Sequence, residues 1–324
     1  MGYTLRDLIT GMTLPNGKAI IDHLTKSAGI AMTMQIIEAN RGTFHLFEKA
    51  LGLPTGTIRL IGGSITPSSI KSIIGQADLQ EFGIVQDPDA SLVEQLGGGN
   101  SPAQVMAYFL DKYPSVLEGM LQTISTQVIY GTDPTFGNDQ GFKGLHQYAK
   151  ASSNVRQAGG ATGHNTTIFV VRWNPEFCSA VLNPAVMGRN EAFMRSSIPV
   201  HNLKVTNVST SARQPVYDVL NQSSLGLMVA TDECVAAITQ LDSTHKPSVT
   251  YMAEALRRVH ARRDLKGTMI YCSEQGADWL DELTNAKLEL TPKDRDYKFV
   301  MEAFNNVDRV IDENISDVET SVLD

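Results

Sequence analysis

Residues 101–129 constrain this chain more than any other stretch, because their apolar residues recur at steps of three and four for far longer than in an ordinary helix. Val105, Met106, Phe109, Leu110, Tyr113, Leu117, Met120, Leu121, Ile124 and Val128 fall on one stripe, the signature of an amphipathic helix. At about 1.5 Å per residue it spans roughly 40 Å, against an average helix of about 11–12 residues. Its start is written in the sequence. Ser101 and Gln104 stand in the Ser-x-x-Gln spacing of a capping box. Pro102 suits the first helical position, where a missing N–H leaves nothing unpaired. Pro114 lies in the middle and removes one helical hydrogen bond. The stripe keeps phase across it, which favours a kink over two separate helices. Gly131, followed by Thr132, Asp133 and Pro134, ends the helix.

The chain has 324 residues, enough for one large domain or two. Its 42% hydrophobic and 19% charged residues are an ordinary globular composition. No apolar run approaches the roughly 20 residues that cross a bilayer, so no membrane partner is expected. The first ten residues lack a positive cluster followed by an apolar block, so no signal peptide is expected. Cys178, Cys234 and Cys272 are far apart and form no C-x-x-C pair, which fits a reducing compartment. A net charge of −8 disfavours a protein that grips nucleic acid with its whole surface, since that affinity comes from Lys and Arg on phosphates.

Taken in order, Ile20, Ile21, Leu24, Ala28, Met32 and Ile36 fall near one helical face. This amphipathic arm lacks a core of its own and is expected to pack on something else, such as a neighbouring chain. In residues 57–66 Ile58 and Leu60 share a face, and Gly62-Gly63 is a connection that closes a hairpin. Residues 166–173 form the best strand, and 205–208, 226–230 and 269–272 are further candidates. Helices are expected from Ser248 and over 277–283. The acidic tail carries Asp308, Asp312, Glu313, Asp317, Glu319 and Asp324. Helices early and strands later favour an α+β fold.

Two Gly-rich stretches invite a phosphate reading. Residues 97–101 precede a helix N-terminus, where anions bind, but no phosphate-loop or dinucleotide fingerprint is present. A loop plus a cap accounts for them. Residues 159–166 precede a strand, and a turn accounts for those. No paired histidine spacing for a metal and no nucleophile elbow occur, so neither a catalytic residue, a metal ligand nor a cofactor is expected. The dense basic run Arg257, Arg258, His260, Arg262 and Arg263 closes a helix, where the dipole favours cations. The alternatives there are a salt-bridged interface and a local nucleic-acid contact.

Residues 52–68 (GLPTGTIRLIGGSITPS), the 97–145 stretch, residues 154–175 (NVRQAGGATGHNTTIFVVRWNP), 226–242 and 248–283 together resemble the major capsid proteins of tailed bacteriophages, in order and over most of the chain. The resemblance implies an α+β fold of the Hong Kong 97 type. It divides the chain into an N-terminal arm at 1–51, an extended loop at 52–90, a peripheral domain with a long spine helix at 91–245, and an axial domain with closing strands at 246–324. It implies a structural protein that is not an enzyme. Such a protein self-assembles as a homo-oligomer into pentamers and hexamers of an icosahedral head around weakly contacted double-stranded DNA. A portal and scaffolding or decoration proteins are implied partners, and the virion capsid, assembled in the host bacterial cytoplasm, is the implied location. The assembly contacts expected are Arg59, Gly62 and Gly63 on the loop, and Arg257, Arg258, Arg262 and Arg263 in the axial domain. Relatives usually carry acidic and arginine residues where Pro102, Ala103, Gln104 and Tyr108 stand here, so an intersubunit ion pair at that point is unsupported. Two alternatives remain: an encapsulin-like shell around protein cargo, and a soluble α+β enzyme with a phosphate site at a Gly-rich loop.

Overall fold

The computed structural model describes residues 3–4, 28–52, 71–133, 140–151, 154–160, 165–184, 194–207, 212–259, 266–285, 303–304 and 307–319, and positions 54, 56, 58, 59, 61, 62, 64, 68 and 69. The chain opens with β1 (Tyr3–Thr4), α1 (Gly29–Thr33), β2 (Gln35–Glu38), β3 (Phe44–Gly52), β4 (Lys71–Asp78) and β5 (Gln80–Gln86). Three helices follow: α2 (Ala90–Gly97), α3 (Pro102–Tyr130) and α4 (Leu145–Ala151). Then come β6 (Val155–Gln157), β7 (Thr166–Arg172), β8 (Cys178–Leu182), β9 (Arg195–Ser196), β10 (Val200–Asn207), β11 (Ala212–Val229) and β12 (Val235–Leu241). The chain continues with α5 (Val249–Arg258), β13 (Thr268–Cys272), α6 (Glu274–Asn285), β14 (Ala303–Phe304) and β15 (Val307–Ile311).

The long helix forms where its sequence places it. Gln104 Oε1 accepts the Ser101 N–H at 3.3 Å and the Ser101 hydroxyl at 2.6 Å. The 29-residue helix runs through Pro114 as one element and ends at Gly131. The expected stripe is buried at Val105, Phe109, Leu117, Met120, Leu121, Ile124 and Val128. Burial deepens toward the C-terminal half, where Ser125, Gln127, Ile129 and Tyr130 are enclosed as well.

Two sheets flank this helix. One has six strands in the order β14-β15-β13-β7-β12-β6. Its central β7 alternates between two cores. Phe169 and Val171 join the apolar face of α3, with Trp173, Val235, Ala237 and Tyr271. Ile168 and Val170 face the other way, against Met252, Ala255 and Leu256 of α5 and Leu280 of α6. A strand covered on both faces reads as an unbroken β-branched and aromatic run, which is why the sequence shows β7 so plainly. The other sheet has seven strands, in the path β1-β2-β8-β11-β10, with β5 and β9 also on β11. The 18-residue β11 organises it, pairing with β10 over its first part, β5 over its middle and β8 at its end. The three cysteines are buried free thiols. Among the described residues, no helix is long and apolar enough to cross a membrane.

Two expectations are corrected here. The helical face drawn through Ala28, Met32 and Ile36 breaks at Met34, whose backbone is extended, and Ile36 lies in strand β2. Ile20, Ile21 and Leu24 lie outside the described residues. Nor does residues 28–36 lack a core: Ala28, Ile30, Ala31, Met34 and Ile36 are buried in the chain's own interior. A Cβ on Gly29 would stand 2.3 Å from the Ile311 carbonyl oxygen, so α1 rests directly on β15. Within the acidic tail, Asp312 and Glu319 are buried.

Candidate assembly surfaces

The strands β3 and β4 form an antiparallel two-stranded ribbon that belongs to neither larger sheet. Its register runs from Phe44 opposite Asp78 to Gly52 opposite Lys71. The base is fixed to the body. Asn40 takes both Leu46 backbone groups, its Nδ2 donating to the carbonyl at 2.7 Å and its Oδ1 accepting the N–H at 2.9 Å. Ala77 packs with Ala39, Val181 and Met228, and Phe47 lies against this cluster.

The far part of the ribbon loses that support. Ile73 and Ile74 are 53% and 71% exposed, Leu51 is 62% exposed, and Ile58 and Ile61 are fully exposed. Residues 73 and 74 point to opposite faces of the strand, so both faces of the ribbon are apolar and wet. Two-stranded ribbons are marginally stable in water unless they pack on something.

The expected loop contacts fall at the end of this ribbon. Arg59 is exposed. Gly62 occupies a turn at φ +88°, a conformation that side chains disfavour. Gly63 lies outside the described residues, as does half of the 57–66 hairpin. The described pairing sits earlier and later than that segment, at 44–52 and 71–78.

At the other expected contact, the N-cap of α5 is as read: Ser248 Oγ accepts the Tyr251 N–H at 3.2 Å. Arg258 works within the chain. Its Nη1 donates to the Val155 carbonyl at 3.0 Å and its Nη2 to Glu254 at 2.8 Å, which ties α5 to β6. Glu254 also faces Arg156, whose guanidinium lies 4.8 Å over the Tyr251 ring. Arg257 is exposed in the last turn, where the dipole favours a cation. Arg262 and Arg263 lie outside the described residues.

The described parts of both Gly-rich stretches are structural. Gly98 is the left-handed C-cap of α2, and its carbonyl accepts Gln104 Nε2 at 2.7 Å. The N-terminus of α3 is thereby closed by the chain's own side chain. In the second stretch, the Gly160 N–H donates to the Gln240 carbonyl at 2.9 Å. A Cβ there would meet Asp242 Oδ2 at 2.7 Å. The carboxyl of Asp242 is held well below its ordinary range, chiefly by the Thr244 hydroxyl and the Thr244 and His245 N–H groups, with burial opposing. An anion at this turn would meet a carboxylate.

The sequence model of the major capsid protein GP7 family matches residues 15–323. No curated protein sequence matches the chain. Among solved structures, that of bacteriophage Epsilon15 is similar with a TM-score of 0.59 and 16% identity, covering 99% of this chain and 98% of that one. The capsid of bacteriophage JBD30 is similar with a TM-score of 0.50 and 8% identity, covering 91% and 94%. An encapsulin from Synechococcus elongatus gives a TM-score of 0.42 at 10% identity, covering 71% and 91%. At these identities the structural likeness bears on the fold alone.

Proposed function

This chain belongs to the major capsid protein GP7 family, and we propose that its shell closes by laying the β3–β4 ribbon over a neighbouring copy. The chain is a component of the virion capsid, assembles into a multimeric shell, and has the α+β fold of the Hong Kong 97 type. In our reading the shell is an icosahedral head of pentamers and hexamers around double-stranded DNA. Portal, scaffolding or decoration proteins join it in the host bacterial cytoplasm. The chain's role is structural, with no catalytic step.

The observation that carries the reading is the ribbon: Ile73, Ile74, Leu51, Ile58 and Ile61 are all exposed on an element that no sheet completes. A contact between this ribbon and a different surface of the next copy is heterologous, and heterologous contacts close into rings when the rotation permits. Each contact is modest, and many copies make the shell. The domain division we propose follows the packing. Strands β6, β7 and β12 share a sheet with β13 and β15 and pack against α5 and α6. We therefore group them with the axial domain rather than divide the chain near residue 245. The peripheral domain then comprises α2, α3 and the seven-stranded sheet, and the extended loop begins at Phe44.

The test is the double variant Ile73→Asp/Ile74→Asp. Soluble, folded subunits that form no shells by negative-stain microscopy are expected. Normal shells would remove the ribbon from the assembly contacts.

A further inference from the structure

After β15 the chain turns back through residues 312–319 across the C-terminal end of α3, and two buried carboxyl side chains hold it there. Asp312 and Glu319 are both buried. Asp312 Oδ2 accepts the Ile30 N–H at 2.7 Å and the Ser125 hydroxyl at 2.6 Å. Its Oδ1 accepts the Asn314 N–H at 2.9 Å and Asn314 Nδ2 at 2.8 Å. Four donors, two of them backbone N–H groups, fit a carboxylate.

Glu319 has a poorer set. Its Oε2 accepts the Thr167 hydroxyl at 2.5 Å, and its Oε1 accepts the Tyr130 hydroxyl at 3.2 Å. The Tyr130 oxygen in turn accepts the Ser316 N–H at 2.7 Å, and the Glu319 N–H donates to the Asn165 carbonyl at 2.9 Å. Four bonds thus join the end of the long helix, the first residues of β7 and the tail. The titratable groups that face this point are Tyr130 from α3 and Asp317 from the segment itself; β7 contributes only the Thr167 hydroxyl. Beyond Tyr130 stands His146 of α4, its ring centroid 5.9 Å from the Tyr130 ring, with Asp133 3.4 Å away. Burial lowers the His146 imidazole to about 4 even though Asp133 pulls it upward, so it is neutral near pH 7. None of these groups brings a positive charge to Glu319.

We propose that residues 312–319 are a proton-controlled clasp on the end of α3, closed while Glu319 carries a proton and released by its ionisation. A protonated carboxyl satisfies two hydroxyl neighbours in a dry site without a buried charge. Among the described residues, no cation stands beside a carboxylate there to offset its desolvation. Release frees Tyr130 and β7 from the tail while Asp312 keeps the start of the segment in place. Burial pushes the Glu319 carboxyl from 4.5 up to about 7, against the pull of Thr167 and Tyr130, and Asp317 adds to the rise. In the open segment the carboxyl returns to its ordinary value. The clasp therefore has its full strength below about pH 4.5, loses it as pH rises through about 7, and changes little beyond.

The test is hydrogen exchange of the full-length protein between pH 5 and 8, corrected for the intrinsic pH dependence of exchange. Protection over 316–319 should fall about tenfold per pH unit up to about pH 7 and then level off, while the start of the segment at Asp312, β7 and β13 keep theirs. In Glu319→Gln, which stays neutral, the fall should vanish. If that variant does not fold, Asp317→Asn keeps the test open. Asp317 is exposed, and removing its charge should move the fall to lower pH. A flat profile in the unaltered protein, or the same profile in both variants, would overturn the clasp.

Discussion

Strand β7 and the β3–β4 ribbon are both short β elements rich in apolar residues, yet they sit at opposite extremes of the molecule. In β7 both faces are covered, one by α3 and one by α5 and α6. In the ribbon both faces are bare beyond the base, with Ile73 and Ile74 exposed on opposite sides. The same chemistry thus serves two purposes. Apolar surface met by the chain itself holds the subunit together, and apolar surface the chain leaves uncovered is available to another copy. Burial is worth roughly 25 cal/mol per Å² in either place; under our proposal the ribbon realises it on assembly.

The contrast can be sharpened by substitution. The largest effect on the subunit is expected for Phe169→Ala in β7. Losing a fully buried ring should cost about 3–5 kcal/mol in chemical denaturation of the unassembled protein. Next is Asp312→Ala, which leaves the Ile30 N–H and Ser125 hydroxyl without their acceptor. A loss of about 3 kcal/mol is expected, at roughly 1–3 kcal/mol per orphaned group. Arg258→Ala should cost about 1 kcal/mol by detaching α5 from β6, while its neighbour Arg257→Ala should leave denaturation midpoints unchanged. The smallest effect belongs to the ribbon. The Ile73→Asp/Ile74→Asp subunit should stay within about 0.5 kcal/mol of the parent, as surface changes do, although its assembly fails. A ribbon variant that unfolds the subunit would erase the distinction between the two regions.

The same contrast explains what could be read from the sequence. The long helix, β7, β13 and the start of α5 announce themselves because one periodicity or one cap governs each. The seven-stranded sheet was largely hidden. Its central strand β11 carries Asn221, Gln222, Ser223 and Ser224 where an apolar run would be expected, and Asn221, Ser223 and Ser224 are buried. Asn221 is held by side-chain bonds from Ser196 and to Gln86. Such polar satisfaction depends on partners distant in sequence and leaves no local pattern. The ribbon strands at 44–52 and 71–78 were not legible for a different reason. Its Gly62 turn was visible, but its strands lack the alternation that a half-buried strand shows, since a neighbour rather than the chain would cover them. The basic run illustrates the limit at side-chain level. Arg257 and Arg258 are adjacent and alike in sequence, and only the fold shows that Arg258 is tied to Val155 and Glu254. Gln104 was legible as a cap, whereas the burial of Asp312 and Glu319 within an acidic tail was not.

The most direct measurement is hydrogen exchange compared between unassembled subunits and closed shells. Opening free energies of local elements report what covers them. Our account predicts that residues 44–52 and 71–78 gain strong protection on assembly while 166–172 changes little. Equal protection of the ribbon in both forms would contradict the claim that a neighbouring copy covers it.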